Sequence, residues 1–286
     1  MRKLPYHIGL IGFLLFLLAW PLLLRGQGYD PISADYLRAW QIGAGGGGEL
    51  WTPADLGNDL ALWLDAADTS TVQLSGSSVT NWLDKSLNAY SVDDGNVTSR
   101  RPTYTQTQNN LNVLTFNGSR LVSSAFTLSQ PHTRFAVLSS ATANLRAFTD
   151  SYNNVQSAHY FGSSKAIALA CGSTFATATE TGEIGWSIQS AIANGASSVI
   201  YQNGTNMRTG NAGSNGMSGI SIGNLRGNPN PVAGYSLDGD LAEIVMVASA
   251  LSTADRQRVE GYLAHKWGLT ANLPSDHPYK SAAPTK

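Results

Sequence analysis

The sequence predicts an all-β sandwich with one C-terminal α-helix, and three observations carry that expectation. Short apolar or alternating runs recur between Gly, Asn, Asp and Ser turn residues at about every 8–12 positions, the spacing of a sandwich rather than of alternating βαβ units. Charged residues make up 13% of the 286-residue chain, against roughly 25% in an average soluble domain. Gly, Ser, Thr and Asn fill the deficit, a composition suited to short strands and tight turns. One segment, 252–268, instead shows helical apolar spacing with a cap at each end.

Bulk properties exclude several functions. A net charge of −1 gives no basic excess with which to displace counterions, so nucleic acid is excluded as a partner. A hydrophobic content of 42% supports a real core and excludes wholesale disorder. The single cysteine, Cys171, rules out an intrachain disulfide framework or a cysteine-cluster metal site.

Residues 1–25 stand apart. Arg2 and Lys3 precede an uncharged apolar run from Ile8 to Leu24 that ends at Arg25. Its length is the short end of what crosses a ~30 Å hydrocarbon core. An uncleaved anchor, a removed signal peptide and a segment buried in an assembly all stay open. The anchor is favoured because Leu22 to Gln27 offers no small-x-small cleavage site. The basic start places the bulk of the chain outside.

Residues 26–50 form a linker. Ser33 to Ile42 could make a short amphipathic helix capped by Ser33. Gly45 to Gly48 reads as a flexible tether, since a phosphate loop needs a strand before it and a helix after it.

From 51 to 286 the texture is β. Strands are expected at Ala61–Leu64, Val113–Phe116, Thr133–Leu138, Ala166–Ala170, Gly219–Gly223 and Gly239–Val247. Ser197–Gln202 and Thr205–Arg208 flank Asn203-Gly204, a type I′ hairpin signal. The helix starts at Ser252, with Asp255 placed to complete a near-capping box. Val259, Tyr262, Leu263 and Trp267 form its apolar face, His265 lies opposite and is expected to be solvated, and Gly268 stops it. The residues from Pro274 onward read as an extended surface tail.

Ala61 to Asp68 (ALWLDAAD), Asn81 to Lys85 (NWLDK), Val113 to Gly118 (VLTFNG) and Gly239 to Leu269 resemble concanavalin A-like lectin/glucanase domains of the laminin-G-like type. The resemblance covers about residues 51–280. It implies a jelly-roll β-sandwich of the kind found in bacterial surface proteins and in bacteriophage structural proteins. Fold alone does not choose among lectins, hydrolases and scaffolds.

Glycan-cleaving members of that superfamily carry Glu-x-Asp-x-x-Glu on one strand. Asp238, Asp240 and Glu243 have that spacing with Asp in the first place. A retaining mechanism needs its carboxyl groups about 5–5.5 Å apart, and the shorter first arm falls outside that reach. The three are therefore read as an ordinary closing strand, and no catalytic residue is assigned. Cys171 with His159 could make a nucleophile, but a lone cysteine in an apolar strand reads as a small buried hydrophobe. Calcium stays open, with oxygen-rich sequences at Asp93-Asp94-Gly95-Asn96 and at Asp238/Asp240 that are also ordinary turn sequences.

Sugar recognition needs aromatic faces and planar polar groups on one surface. Arg146, Tyr152, Asn153, Asn154, His159 and Tyr160 supply these in one polar stretch expected to form exposed loops, and Trp186 and Arg226 could join them. The expected function is a non-catalytic, surface-displayed module for adhesion or glycan binding, in a cell envelope or virion. A purely structural assembly protein is the alternative and a glycan hydrolase the weaker one. The partners are a glycan and, through residues 1–25, a membrane or virion neighbours; self-association stays open.

Overall fold

Asn203 and Gly204 take positive φ angles of 51° and 82°, and the hairpin they close is one of a series of antiparallel pairs from which the protein is built. The computed structural model describes residues 48–286 apart from 142–145, 154, 180–181, 183–184 and 226–233. The apolar segment 1–25 and nearly all of the linker lie outside the described residues, as do Asn154, Arg226, Glu180 and Glu183.

The described residues form seventeen strands, numbered in chain order. The first six are β1 (Leu60–Asp65), β2 (Val72–Ser75), β3 (Ser78–Trp82), β4 (Val92–Asp93), β5 (Thr103–Gln108) and β6 (Leu111–Asn117). Then follow β7 (Leu121–Leu128), β8 (His132–Ser140), β9 (Arg146–Asp150), β10 (Ala158–Phe161), β11 (Ile167–Ala170) and β12 (Thr174–Ala176). The last are β13 (Ser187–Ala193), β14 (Ser198–Gln202), β15 (Thr205–Gly210), β16 (Met217–Ile222) and β17 (Asp238–Val247). One α-helix, α1 (Thr253–Trp267), follows β17. Among the described residues no helix is long and apolar enough to cross a membrane.

All seventeen strands join one hydrogen-bonded network that curls into two halves. In the first half β17 pairs with β8 on one edge, and β8 continues through β13 and β14 to β15. The other edge of β17 is shared by β6 and β1, with β5 beyond β6. The second half runs β2–β3–β4–β7–β16–β9–β10–β11–β12. A single pair, Ser78 with Thr103, links β3 to β5 across the halves.

One core lies between the halves. Leu62, Trp82, Phe116, Phe126, Phe148, Phe161, Leu169, Ile220 and Ile244 meet there, fully buried. A second core lies between the outer face of the first half and α1, where Trp63, Phe135, Val137, Ile188, Ala242 and Val245 meet Val259, Tyr262, Leu263 and Trp267. The two cores explain why β1 is buried along its whole length: Leu62 and Leu64 point one way and Trp63 the other, so both faces are covered. Burying side chains of this size contributes about 1.5–3 kcal/mol each.

The caps on α1 are the expected ones. Ser252 Oγ accepts from the Asp255 amide at 3.1 Å, and Gly268 ends the helix in the left-handed region with φ 71°. His265, expected to be solvated, is half-buried, because Tyr279 brings its carbonyl within 2.8 Å of His265 Nε2. The tail is fastened rather than loosely extended. The Lys280 ammonium donates to the carbonyls of Thr270, Ala271 and Leu273, and Thr285 pairs with Leu50.

Candidate functional site

Three polar assemblies mark the described residues, and their burial separates structural roles from binding ones. The first lies under α1. A register shift between Leu241 and Glu243 breaks the alternation of β17, so that Ala242 and Glu243 both serve the helix-side core. Glu243 accepts from the indole N–H groups of Trp63 and Trp267 at 2.7 Å each and from the Tyr262 hydroxyl at 3.0 Å. Lys266 Nζ stands 2.7 Å from Glu243 and 2.6 Å from Asp65. Lys85 reaches Asp65 at 3.0 Å and Asp68 at 2.8 Å.

Electrostatics distinguish the two central carboxyl groups. Burial pushes Asp65 up, but Lys266 and Lys85 outweigh it and hold the group down at about 2. Glu243 is raised, first by burial and also by the charge of Asp65, against the pull of Lys266. Every oxygen of Glu243 already has donors and the residue is fully buried. Asp240 Oδ1 accepts from Thr115 Oγ1 at 2.6 Å, and Asp238 pairs with Asn117 where β17 begins. The Asp238/Asp240/Glu243 spacing thus places its last carboxylate in a helix clasp instead of an open cleft.

The second assembly is in the interior, between the two halves of the sheet. Arg134, 1% exposed, donates to the Ser157 carbonyl at 3.0 Å, to Ser157 Oγ at 2.9 Å and to His132 Nε2 at 2.5 Å. Cys171 Sγ lies 3.5 Å from Ser157 Oγ. His159 is part of this interior: its ring meets Phe148 edge-on at 5.0 Å. Burial, and then the Arg134 charge, bring His159 down to about 3, and the same causes bring His132 down to about 3. The expectation that His159 contacts a sugar is corrected, because strand alternation on β10 turns it inward with Phe161 while Tyr160 turns outward.

The third assembly is the outer face of the second half, a face that α1 leaves uncovered. Ala147, Ala158 and Leu225 form a small apolar floor, with Tyr160 and Tyr235 packed against it. The two tyrosine rings are half-buried, 6.1 Å apart at 69°. Burial, then Tyr235, raises the Tyr160 phenol. Beside them, Ser221 Oγ donates to the Asn224 carbonyl at 3.0 Å, and Asn224 Nδ2 donates to Ser236 Oγ at 2.7 Å. Arg146 donates to the Ser236 carbonyl at 2.9 Å. Tyr152 and Asn153 fold over β16 at Gly219, whose φ is 68° and where a Cβ would stand 2.6 Å from Tyr152 Cβ. The Asn153 backbone N–H donates to the Ser218 carbonyl at 2.8 Å, and its side-chain Nδ2 donates to Ser218 Oγ at 3.2 Å. Ser221 and Asn224 are fully buried beneath this face, so the groups within reach of a sugar are the half-buried tyrosine rings, which can stack on it, and the partly exposed Ser236 and Asn153.

Of the residues expected from sequence, Arg146, Tyr152, Asn153 and Tyr160 gather on this face. The stretch 146–160 is a strand pair, β9 and β10, rather than a set of exposed loops. Trp186 is corrected too: it packs against the helix-side core, so it stands on the far side of the molecule from Tyr160. Tyr235, Asn224 and Ser236 were missed because strand order, not sequence proximity, brings them here. At Asp93-Asp94, Asp94 Oδ2 is 2.6 Å from Arg101 Nε and its Oδ1 accepts from the Asn96 amide at 2.8 Å. Among the described residues no three His, Cys, Asp or Glu converge as a metal set.

No protein-family model matches the chain, and no curated protein matches it. Solved structures do share its fold. An arabinofuranosidase complexed with arabinofuranosyl-α-1,2-xylobiose matches with a TM-score of 0.52 at 14% identity, over 66% of this chain and 51% of that one. A mutant GH54 α-L-arabinofuranosidase soaked with 4-nitrophenyl α-L-arabinofuranoside matches with a TM-score of 0.51 at 13% identity, over 82% of this chain and 65% of that one. Domain 4 of a GH43 extracellular arabinanase from Geobacillus stearothermophilus, in complex with arabinotriose, matches with a TM-score of 0.49 at 8% identity, over 68% of this chain and 95% of the domain. The chain therefore spans between half and two thirds of the length of the two arabinofuranosidases. These likenesses overturn one expectation. The fold is shared with glycoside hydrolases, so the assignment of the chain as a non-enzyme is withdrawn.

Proposed function

We propose that the chain recognises a glycan on the outer face of its second half. The observation that carries this reading is the Tyr160–Tyr235 pair, two half-buried rings on the same face as the partly exposed Asn153 and Ser236, a face that α1 leaves open. The likeness of the fold to arabinofuranosidases with saccharides or a glycoside bound supports it. We place the domain with the concanavalin A-like jelly rolls of laminin-G-like type, supported by the motif residues Asp65, Lys85, Glu243 and Lys266, which meet in one network. Display on a cell envelope or virion, with a role in adhesion, is supported by the apolar run Ile8–Leu24 and the Gly45–Gly48 tether.

A single open site of this kind binds weakly, at around millimolar or ~−4 kcal/mol, and gains from many copies acting together. A glycan array probed with a multivalent form tests the reading, with release of reducing ends measured on each glycan bound. Binding that disappears in Tyr160→Ala/Tyr235→Ala, while the variant keeps its fold, supports it. Binding that survives the double substitution places the site elsewhere.

A further inference from the structure

We propose that Lys266 and Asp65 become joined by an amide bond between Lys266 Nζ and Asp65 Cγ, with Glu243 passing the protons. The inference is separate from the glycan reading and concerns the cluster under α1. Three groups stand there in the order such a reaction needs. Lys266 Nζ lies 2.6 Å from Asp65 Oδ1 on one side and 2.7 Å from Glu243 Oε2 on the other. All three side chains are 1% exposed or less. The elements that carry them, β1, β17 and α1, are packed together by the second core, which holds the amine and the carboxyl group in contact.

The surroundings favour the reaction in two ways. Lys266 Nζ sits 5.4 Å from the centre of the Tyr262 ring and 5.2 Å from that of Trp267, so aromatic walls flank the amine. Burying a pair of charges is costly, and a neutral amide removes that cost. Reactants held in a fixed, well-oriented contact also behave as if at effective concentrations of roughly 10⁵–10⁸ M. Lys85 is placed differently. It is shared between Asp65 Oδ2 at 3.0 Å and Asp68 at 2.8 Å, whereas Glu243 touches Lys266.

The step balances without a co-reactant. The Lys266 ammonium gives a proton to Asp65 along their hydrogen bond, leaving a neutral amine and a neutral carboxylic acid. The nitrogen lone pair then forms the C–N bond at Asp65 Cγ. Glu243 takes the proton that the nitrogen sheds and hands one to the departing hydroxyl, and one water leaves. Burial raises Glu243, which suits it to holding a proton between the two transfers. Against burial, Lys266 and Lys85 hold Asp65 down at about 2. The ion pair is therefore the resting form of the newly folded chain, and the bond forms slowly after folding. It would link residues 201 apart in sequence and fasten the first strand to the helix that closes the domain.

Mass spectrometry of the full chain tests the proposal. The expected result is a slow loss of one water on standing, with a tryptic digest in which the peptide holding Lys266 is joined to the one holding Asp65. Lys266→Arg keeps the positive charge without the amine nucleophile and should retain the water. Glu243→Gln, checked for a native circular-dichroism spectrum, should slow the loss by roughly 10²–10⁴-fold, the usual range for removing a general acid–base group. A chain that keeps its full mass through weeks of incubation would overturn the proposal. Loss of water without the joined peptide, as from a succinimide at Asp94-Gly95 or Asp238-Gly239, would overturn it too. A joined peptide formed equally fast in Glu243→Gln would overturn the part assigned to Glu243.

Discussion

Trp267 donates its indole N–H to Glu243 Oε2 at 2.7 Å, joining the last turn of α1 to the bulge of β17. The helix is therefore held by a specific polar contact as well as by its apolar face. Trp267→Ala should cost about 3–5 kcal/mol through the cavity it leaves. Trp267→Phe keeps most of the volume but removes one donor to a buried carboxyl group, and should cost about 1–3 kcal/mol. Urea unfolding followed by circular dichroism would rank the two.

Lys266 is the second half of that clasp. Lys266→Met leaves Asp65 and Glu243 facing each other without the ammonium they share, and should cost about 3–5 kcal/mol. Adding Glu243→Gln should recover part of the loss, because it removes one stranded charge and keeps an acceptor oxygen for the buried indole and phenol donors. Asp65 is held at about 2 in the folded protein, below its usual ~3.9. Its stabilising contribution is thus present above pH ~4 and is lost as the pH falls through about 2.

The interior histidines give a second acid-sensitive element in a higher range. His132 and His159 are held at about 3, against roughly 6.5 in an unfolded chain. On acidification the unfolded chain takes up protons first, so stability should fall from pH ~6.5 toward 3, by up to ~1.4 kcal/mol per pH unit for each histidine. His159→Phe keeps an aromatic ring against Phe148 and removes one titrating group. A pH series of melting temperatures should show a shallower acid slope for that variant.

The Asp238/Asp240/Glu243 spacing makes a prediction about chemistry. Glu243 is engaged by two indoles, a phenol and an ammonium, and Asp240 by Thr115. Release of reducing ends from arabinan should therefore be the same for the unaltered protein and for Asp238→Asn, measured at equal folded concentration. A loss confined to the variant would give Asp238 a catalytic role that its place at the start of β17 does not suggest.

Legibility followed local chemistry. The α1 caps and the Asn203-Gly204 turn are decided by neighbours in sequence, and both could be read there. By contrast β5, Thr-Tyr-Thr-Gln-Thr-Gln, has no apolar alternation, and β13 is buried along its whole length, so neither carries a period-two signal. Tyr152 and Tyr160 were visible as a polar-aromatic stretch. Tyr235 was not, because β9 and β10 must pair before Tyr235, bonded at its carbonyl by Ala147, meets Tyr160. His159 and Trp186 went to the wrong surfaces for a related reason: the composition of a stretch does not say which side of a sheet each residue takes.

The central claim is that a glycan lies on the outer face of the second half. Hydrogen exchange with and without a bound oligosaccharide, chosen from the array, tests it most directly. The account predicts added protection at residues 146–153, 158–160, 217–225 and 234–237, with the backbone of α1 unchanged. Protection concentrated on α1 or on the β14–β15 hairpin, with the Tyr160–Tyr235 region unaffected, would contradict it.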